Sequence, residues 1–109
     1  MITIDDFEKV DMRVGTIIDA SDNQKAKKKA YKLTIDFGKE IGIKKSSAQI
    51  TDVYKSKELI GKQIIAVTNF PSIKIGDIKS EVLVLGVNTD KGVVLLSLDK
   101  EVANGERVY

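Results

Sequence analysis

Several residue types that carry out chemistry are missing from this chain. It contains no cysteine, no histidine and no tryptophan, and Pro71 is its one proline. The lack of cysteine and histidine excludes a disulfide, a thiolate nucleophile, the commonest general base and nearly every set of zinc ligands. The carboxylates form no recognisable spaced pair, and the glycines form no phosphate-binding loop. The sequence therefore predicts a protein that is not an enzyme, with no catalytic residue, metal site or cofactor.

Long apolar segments are missing as well. No stretch approaches the roughly 18 residues that a membrane helix needs, and residues 1–6 have neither the basic nor the apolar region of a signal peptide. Eighteen lysines and arginines are balanced by 16 aspartates and glutamates, so a nucleic-acid contact must come from a local patch. We expect a single domain over residues 1–109 that does not insert into membranes. The lack of cysteine is typical of the cytoplasm.

The apolar residues that are present alternate with polar ones, which is the pattern of a β-sheet. Met12–Ala20 predicts a first strand, and Gly15 in its middle requires a bend or the close approach of another backbone. Leu33, Ile35 and Phe37 predict a second strand with one buried face. A glycine turn and a returning strand complete a hairpin.

The returning strand contains a change of phase. Ile41 and Ile43 stand at odd positions, whereas Ala48 and Ile50 stand at even ones. Because a one-residue slip reverses every side chain, either a β-bulge near residues 45–47 or a simple strand end must separate them. A bulge would turn the polar side chains of this segment toward a ligand.

Two helices are predicted. Thr3 caps a short helix at Ile4–Lys9, and Thr51 caps a second one at Asp52–Ile60, which Gly61 ends. The apolar residues of the second helix that we expect to pack over the sheet are Val53, Tyr54, Leu59 and Ile60.

Two loops carry lysines. The loop at residues 21–30 is basic, and it is either flexible and solvated or able to bind phosphate. Pro71, which lacks an N–H, ends the preceding strand and opens a second loop at residues 69–80, which carries Lys74 and Lys79. Polar loops between buried strands often bind ligands, so we expect these two loops to flank a binding face.

The last two predicted strands, Glu81–Val87 and Gly92–Leu98, contain consecutive apolar residues. Continuous apolarity indicates burial on both faces. One small barrel cannot provide that, so we expect a partner subunit to cover this hairpin. The predicted fold is all-β: an OB-fold five-stranded Greek-key barrel with an extra C-terminal strand, a short N-terminal helix and a helix between strands 3 and 4.

Four motifs, in this order along the chain, resemble those of a known family. They are Asp11-Met-Arg-Val-Gly-Thr-Ile17, Ile35-Asp-Phe-Gly38, Lys45-Ser-Ser-Ala-Gln-Ile50, and Asn69-Phe-Pro71 followed by Lys79-Ser-Glu81. They closely resemble the CsaA chaperones, export-related members of the tRNA-binding-domain family, over essentially the whole chain. The resemblance implies a cytoplasmic homodimer of OB-folds whose N- and C-terminal extensions build the dimer interface.

The resemblance also implies two functions. The first is a non-enzymatic protein that binds tRNA by shape and phosphate contacts and acts as a chaperone in protein export. The residues expected to bind RNA are Lys44, Lys45, Ser46, Lys74, Lys79 and Ser80. The alternative is an export chaperone that binds only peptides or preproteins, with vestigial RNA binding. Its apolar groove is expected to contain Phe70, Ile73, Ile75 and Leu83. The partners implied are tRNA, unfolded or precursor polypeptides and the export motor.

One motif departs from the family pattern. Where related domains read Ser-x-Gly-Met, this chain has Val82 and Leu83 after Ser80 and Glu81. Glycine lets a nucleic-acid backbone come close, so a valine side chain on that surface predicts weaker tRNA recognition and a surface better suited to peptide.

Aromatic residues are few. We expect Phe37 in the core, which leaves Tyr31, Tyr54 and Phe70 as the available stacking platforms. Binding of single strands by serial stacking is therefore not expected.

Overall fold

The computed structural model describes all residues from Met1 to Tyr109. The elements are α1 (Ile4–Glu8), β1 (Met12–Asp22), β2 (Tyr31–Asp36), β3 (Ile43–Ala48), α2 (Ser56–Leu59), β4 (Gln63–Val67), β5 (Ile73–Ile75), β6 (Ile78–Ser80), β7 (Leu83–Val84), β8 (Gly86–Thr89) and β9 (Gly92–Leu95). Five strands lie side by side in one antiparallel sheet in the order β3-β2-β1-β4-β7, and β5–β6 and β8–β9 form separate hairpins. Neither helix has the length or apolar character required to cross a membrane.

The sheet curls until β3 meets the segment that links β6 to β7. There the N–H of Glu81 donates to a carbonyl of β3 at 2.8 Å. The buried hydroxyl of Ser46 donates to the carbonyl of Val82 at 3.0 Å, and the hydroxyl of Ser80 accepts from the N–H of Ser47 at 3.0 Å. These bonds close a five-stranded OB-fold barrel, as the sequence predicted. We call this junction the seam; it consists of Lys45, Ser46 and Ser47 on one side and Ser80, Glu81 and Val82 on the other.

The first strand bends as Gly15 predicts. A Cβ on Gly15 would lie 2.6 Å from Cγ2 of Ile35 and 2.7 Å from Cε1 of Phe37, so no side chain fits there. The pairing of β1 with β2 shifts register between Ile17 and Asp19, which is a β-bulge. The first half of β1 therefore pairs with β4 and the second half with β2, and this wraps the sheet around the core. Core residues include Ile17, Leu33, Ile35, Phe37, Ile64 and Ala66.

The third strand is regular through Ala48, so of the two alternatives near residues 45–47, a β-bulge or a strand end, neither is present there. Its pairing with β2 runs without interruption from Ile43 opposite Asp36 to Ala48 opposite Tyr31. The change of phase has a simpler cause. Ile43 faces outward and is 58% exposed, whereas Ser46 and Ala48 are buried. Ile43 lies outside the core, and Ile41, which packs against the core, precedes the strand, so no slip is needed to explain them.

The first helix begins at Ile4, as predicted. The hydroxyl of Thr3 accepts from the N–H of Asp6 at 3.2 Å, and the carboxylate of Asp6 accepts from the N–H of Thr3 at 3.0 Å. These hydrogen bonds from Thr3 lower the pKa of Asp6 below its usual range.

The second helix is shorter than predicted. It begins at Ser56 rather than at Asp52, because the residues in between form a turn and an extended segment. Gly61 follows its end with a φ of +89°, as a C-terminal glycine should. Of the four residues expected to pack over the barrel, Leu59 and Tyr54 do so, and Val53 and Ile60 are exposed.

The segment from residue 69 to residue 98 is divided into strands differently from the prediction. The loop at residues 69–80 contains the β5–β6 hairpin, and the strand predicted at 81–87 breaks into β7 in the barrel and β8 outside it. On the β8–β9 hairpin, Val93 packs against the core, whereas Val87 and Val94 are exposed. The hairpin therefore has one covered face and one uncovered apolar face within the chain.

The chain termini lie together beside β1. Three backbone hydrogen bonds of 2.8–3.0 Å join residues 105–108 to residues 12–14. Asn69 fastens the nearby connection from α1 to β1, since its Oδ1 accepts from the N–H of Asp11 at 3.0 Å and its Nδ2 donates to the carbonyl of Lys9 at 2.7 Å.

Candidate functional site

The loop that follows β1 and the β5–β6 hairpin lie side by side and enclose a basic pocket of about 570 Å³. Four lysines line it, no carboxylate lines it, and none of these lysines forms a salt bridge. Such a concentration of uncompensated positive charge favours binding of an anion. The polar residues that line this basic pocket are Lys25, Lys27, Lys28, Ser47, Gln49 and Lys74.

Asn23 holds the two walls of the basic pocket together. It is 4% exposed, and its Nδ2 donates to the hydroxyl of Ser47 at 3.2 Å and to the carbonyl of Ile75 at 3.0 Å. Its own backbone N–H donates to the carbonyl of Ala30 at 2.9 Å, which closes the base of the loop. The basic loop is therefore fastened to both β3 and β5. It is not a loop that lies free in solvent.

Gly76 lets the loop and the hairpin approach each other. It turns the hairpin with a φ of +65°, and a Cβ there would lie 2.4 Å from Oδ1 of Asn23 and 2.8 Å from the backbone nitrogen of Ala26. That oxygen of Asn23 is buried and has no hydrogen-bond partner. The contact therefore requires glycine both for its conformation and for its lack of a side chain.

The lysines predicted to bind RNA lie around this region. Lys74 lines the basic pocket, and Lys79 stands directly opposite it on the other strand of the hairpin. Lys45 is exposed on β3. Nζ of Lys44 lies 3.9 Å from Oε2 of Glu81, so part of its charge is compensated.

The hydroxyls of the two serines predicted to bind RNA form hydrogen bonds within the barrel. Ser46 and Ser80 are both buried, and both hydroxyls form seam hydrogen bonds. In this structure both hydroxyls position β3 against the β6–β7 segment.

The four residues predicted to bind peptide lie together in one groove. An apolar groove of about 300 Å³ runs beside the seam between β3 and the β5–β6 hairpin. Phe70 is 52% exposed at this groove. The residues that line this apolar groove include Phe70, Pro71, Ile73, Ile75, Val82 and Leu83.

The side chain of Val82 lies in the barrel and not on the surface. It is 5% exposed and belongs to the hydrophobic core, so the expected steric block to a nucleic-acid backbone is wrong. Leu83, the next residue, is half exposed and contributes apolar surface to the groove. The departure from the family motif therefore adds a buried side chain at Val82 and exchanges one apolar side chain for another at Leu83.

Of the proposed stacking platforms, one is available. Tyr31 is buried and its hydroxyl donates to the carbonyl of Tyr54 at 2.7 Å, while the hydroxyl of Tyr54 accepts from the N–H of Leu95 at 3.0 Å. Of the three proposed residues, Phe70 is the exposed one, and Phe37 is in the core, as expected.

Sequence reasoning offered the basic loop as one flank of a binding face but did not assign its lysines to the site, and it missed the asparagine that positions them. Lys25, Lys27 and Lys28 were visible as a basic run, but nothing local indicated that this loop was fastened. Asparagine at the end of a strand is common in turns, and its burial at position 23 depends on residues 24 and 52 positions away.

The sequence matches the family model "Putative tRNA binding domain" over residues 12–107. The chain belongs to this family. Three solved structures are similar to this tRNA-binding-domain chain, and each alignment covers all of this chain's 109 residues. The CsaA chaperone protein of Picrophilus torridus is 54% identical with a TM-score of 0.94, and all of that chain is covered. Chaperone CsaA of Bacillus anthracis is 46% identical with a TM-score of 0.92 and 99% covered. A MetRS-related protein of Pyrococcus horikoshii is 32% identical with a TM-score of 0.87 and 98% covered.

Longer proteins contain the same domain. A methionine–tRNA ligase of Methanococcus vannielii is 34% identical over 109 residues, and this tRNA-binding-domain chain spans 16% of that enzyme's length. The family description and the CsaA neighbours together indicate a binding domain, and they confirm the resemblance read from the sequence motifs.

Replacing Asn23 with alanine should loosen the basic loop. The change leaves the carbonyl of Ile75 and the hydroxyl of Ser47 without their partner, which should lower the free energy of unfolding by about 1–3 kcal/mol. Hydrogen exchange at residues 24–29 should accelerate more than exchange in the barrel strands. Urea denaturation and exchange measured by mass spectrometry test this. Gln24→Ala, an exposed neighbour, is the control and should stay within about 0.5 kcal/mol. Unchanged exchange in Asn23→Ala would show that the loop is held by other contacts.

Proposed function

We propose that this protein binds tRNA without catalysis, through phosphate contacts at the basic pocket. The observation that carries the proposal is that lysines from two loops far apart in sequence line one pocket free of carboxylates. Phosphate contacts of this kind position an RNA but do not read its sequence. Selection would come from the shape of the RNA and from contacts with its 2′-hydroxyls.

The pairing of Lys74 with Lys79 supports an anionic ligand. The two residues stand directly opposite each other on the hairpin, and like charges in that position destabilise a pair of strands by a few tenths of a kcal/mol or more. A bound phosphate between or beside them would remove the repulsion. Repulsion between the two lysines thus destabilises the hairpin in the free protein, and contact with an RNA backbone would offset this repulsion.

Changing Lys74 and Lys79 to alanine should weaken tRNA binding and reduce its salt dependence. Each lost phosphate contact should flatten the slope of log K against log salt by about 0.7–0.9. Fluorescence anisotropy with tRNA across a salt series measures both quantities. The matched control is Lys57→Ala with Lys62→Ala, which removes two exposed lysines away from the pocket and should change the slope little. An unchanged slope in the Lys74/Lys79 variant would remove these residues from the site.

A second function is favoured by the apolar groove. We propose that the groove binds unfolded or precursor polypeptide, as a cytoplasmic chaperone of protein export would require, with the export motor as a further partner. The convergence of Phe70, Ile73, Ile75 and Leu83 supports this, since apolar side chains on separate segments form one exposed groove. Such binding depends on burial of apolar surface, so it should change little as salt rises, whereas tRNA binding should weaken steeply.

Replacing Leu83 with serine should weaken polypeptide binding. The loss of its half-exposed apolar surface should cost about 1–2 kcal/mol, or about 5- to 30-fold in Kd. Anisotropy of a labelled, reduced and alkylated polypeptide measures the change, and tRNA affinity serves as the internal reference. Ile60→Ser, at an exposed apolar residue outside the groove, should leave both affinities unaltered. Equal affinity in Leu83→Ser and the unaltered protein would argue against this groove.

We propose that the protein is a homodimer formed through its terminal segments. The two termini meet at a second groove of about 670 Å³, the terminal groove, whose apolar lining residues are Ile4, Phe7, Val108 and Tyr109. Val87 and Val94 are also uncovered, on the β8–β9 hairpin. A second copy of the chain would bury these surfaces by symmetry.

A charge at Ile4 should weaken the dimer. Ile4 is exposed on α1 within the terminal groove, so Ile4→Glu would bury a carboxylate in an apolar interface. Sedimentation equilibrium should give twice the chain mass of 12.0 kDa for the unaltered protein and a shift toward one chain for the variant. Ile18→Glu, exposed outside this groove, is the control. A single-chain mass for the unaltered protein would contradict the proposal.

A further inference from the structure

The basic pocket and the apolar groove are neighbours that share two residues. Ser47 on β3 and Ile75 on β5 line both. Asn23 donates hydrogen bonds to both of these residues and so holds the two sides of the shared wall together. The basic pocket and the apolar groove therefore have one wall in common.

Lysines of β3 and of β5 adjoin the groove. Glu81 lines the groove, and its carboxylate lies 3.9 Å from Nζ of Lys44, whose charge it partly compensates, while its N–H donates to the carbonyl of Lys45. Lys74 lies on the same strand as Ile73 and Ile75, which also line the groove. Lysines that could hold an RNA backbone therefore lie on two of the segments that border the apolar groove.

The walls of the groove have little freedom to separate. The seam bonds β3 to the segment that carries Glu81 and Val82, and the groove of about 300 Å³ lies directly beside it. An RNA helix is much wider than this opening. An RNA that contacts Lys74 on β5 and Lys44 or Lys45 on β3 must cross the mouth of the groove and exclude a polypeptide from it.

We propose that tRNA and polypeptide bind this protein in a mutually exclusive manner. The inference rests on the proposed function, because it requires that both ligands bind, and it adds that each displaces the other. By thermodynamic reciprocity, the factor by which tRNA weakens polypeptide binding must equal the factor by which polypeptide weakens tRNA binding. Release of a polypeptide would then follow from a rise in tRNA, without a nucleotide-driven step.

The test is a displacement titration on the full chain. The apparent Kd of a labelled, reduced and alkylated polypeptide is measured at fixed ionic strength with unlabelled bulk tRNA at zero and at ten times its own Kd. Full competition raises the apparent Kd about 11-fold, since the free protein is reduced by the factor one plus ligand over Kd. The reverse titration should give the same limiting behaviour. An unchanged or lowered apparent Kd would overturn the inference.

Two controls separate coverage of the groove from other causes. Tripolyphosphate reaches the basic pocket but is too small to cross the groove, so at matched ionic strength it should not displace the polypeptide. Displacement by tripolyphosphate would overturn coverage as the cause. In the Lys74→Ala and Lys79→Ala double variant, displacement of the polypeptide should require more tRNA by the factor of the lost tRNA affinity, relative to the variant's own affinity for polypeptide alone.

Failure of the underlying function has a different signature. If tRNA or the polypeptide does not bind when tested alone, the proposed function is wrong and the inference falls with it. If both bind alone and also bind together, the proposed function stands and mutual exclusion is wrong.

Discussion

The seam is the constraint on which the rest of the structure depends. A regular ladder does not join β3 to β7; instead, the hydroxyls of Ser46 and Ser80 and one backbone N–H close the barrel. A hydroxyl can form a hydrogen bond with a carbonyl or an N–H where two strands diverge and their backbone groups no longer face each other. Each such bond is modest in net free energy, but a buried partner left without it would cost about 1–3 kcal/mol. The binding surfaces lie directly beside this junction, so their geometry follows from the way the barrel closes.

The same arrangement explains why charge and apolar surface can lie so close together. The barrel and its seam supply a rigid support, and the β5–β6 hairpin carries Lys74 and Lys79 away from it while Ile73 and Ile75 line the groove. Alternation along a two-residue period places the two chemistries on opposite sides of one short strand. Asn23 then fixes the basic loop to that strand. A few residues thus present two kinds of ligand surface across one wall.

Much of the fold could be predicted because it depends on local pattern. Gly15 marked the bend of β1, Thr3 marked the start of α1, and the alternation of Leu33, Ile35 and Phe37 marked the core side of β2. The errors arose where an apolar residue was assumed to be buried. Ile43 is exposed at the start of β3, and this exposure accounts for the change of phase that had suggested a bulge. Likewise, Val82 was placed on the surface because it stands where the family motif has a glycine, although its side chain belongs to the core.

By itself, the sequence determined what this protein lacks and how its strands alternate: no cysteine or histidine, a buried face on β1 and β2, and two lysine-bearing loops. The tertiary structure alone decided which polar groups are free to meet a ligand. The hydroxyls of Ser46 and Ser80 and the amide of Asn23 form hydrogen bonds to residues 24–52 positions away. The availability of a polar group depends on whether a distant partner satisfies it, and local pattern carries no information on that partner.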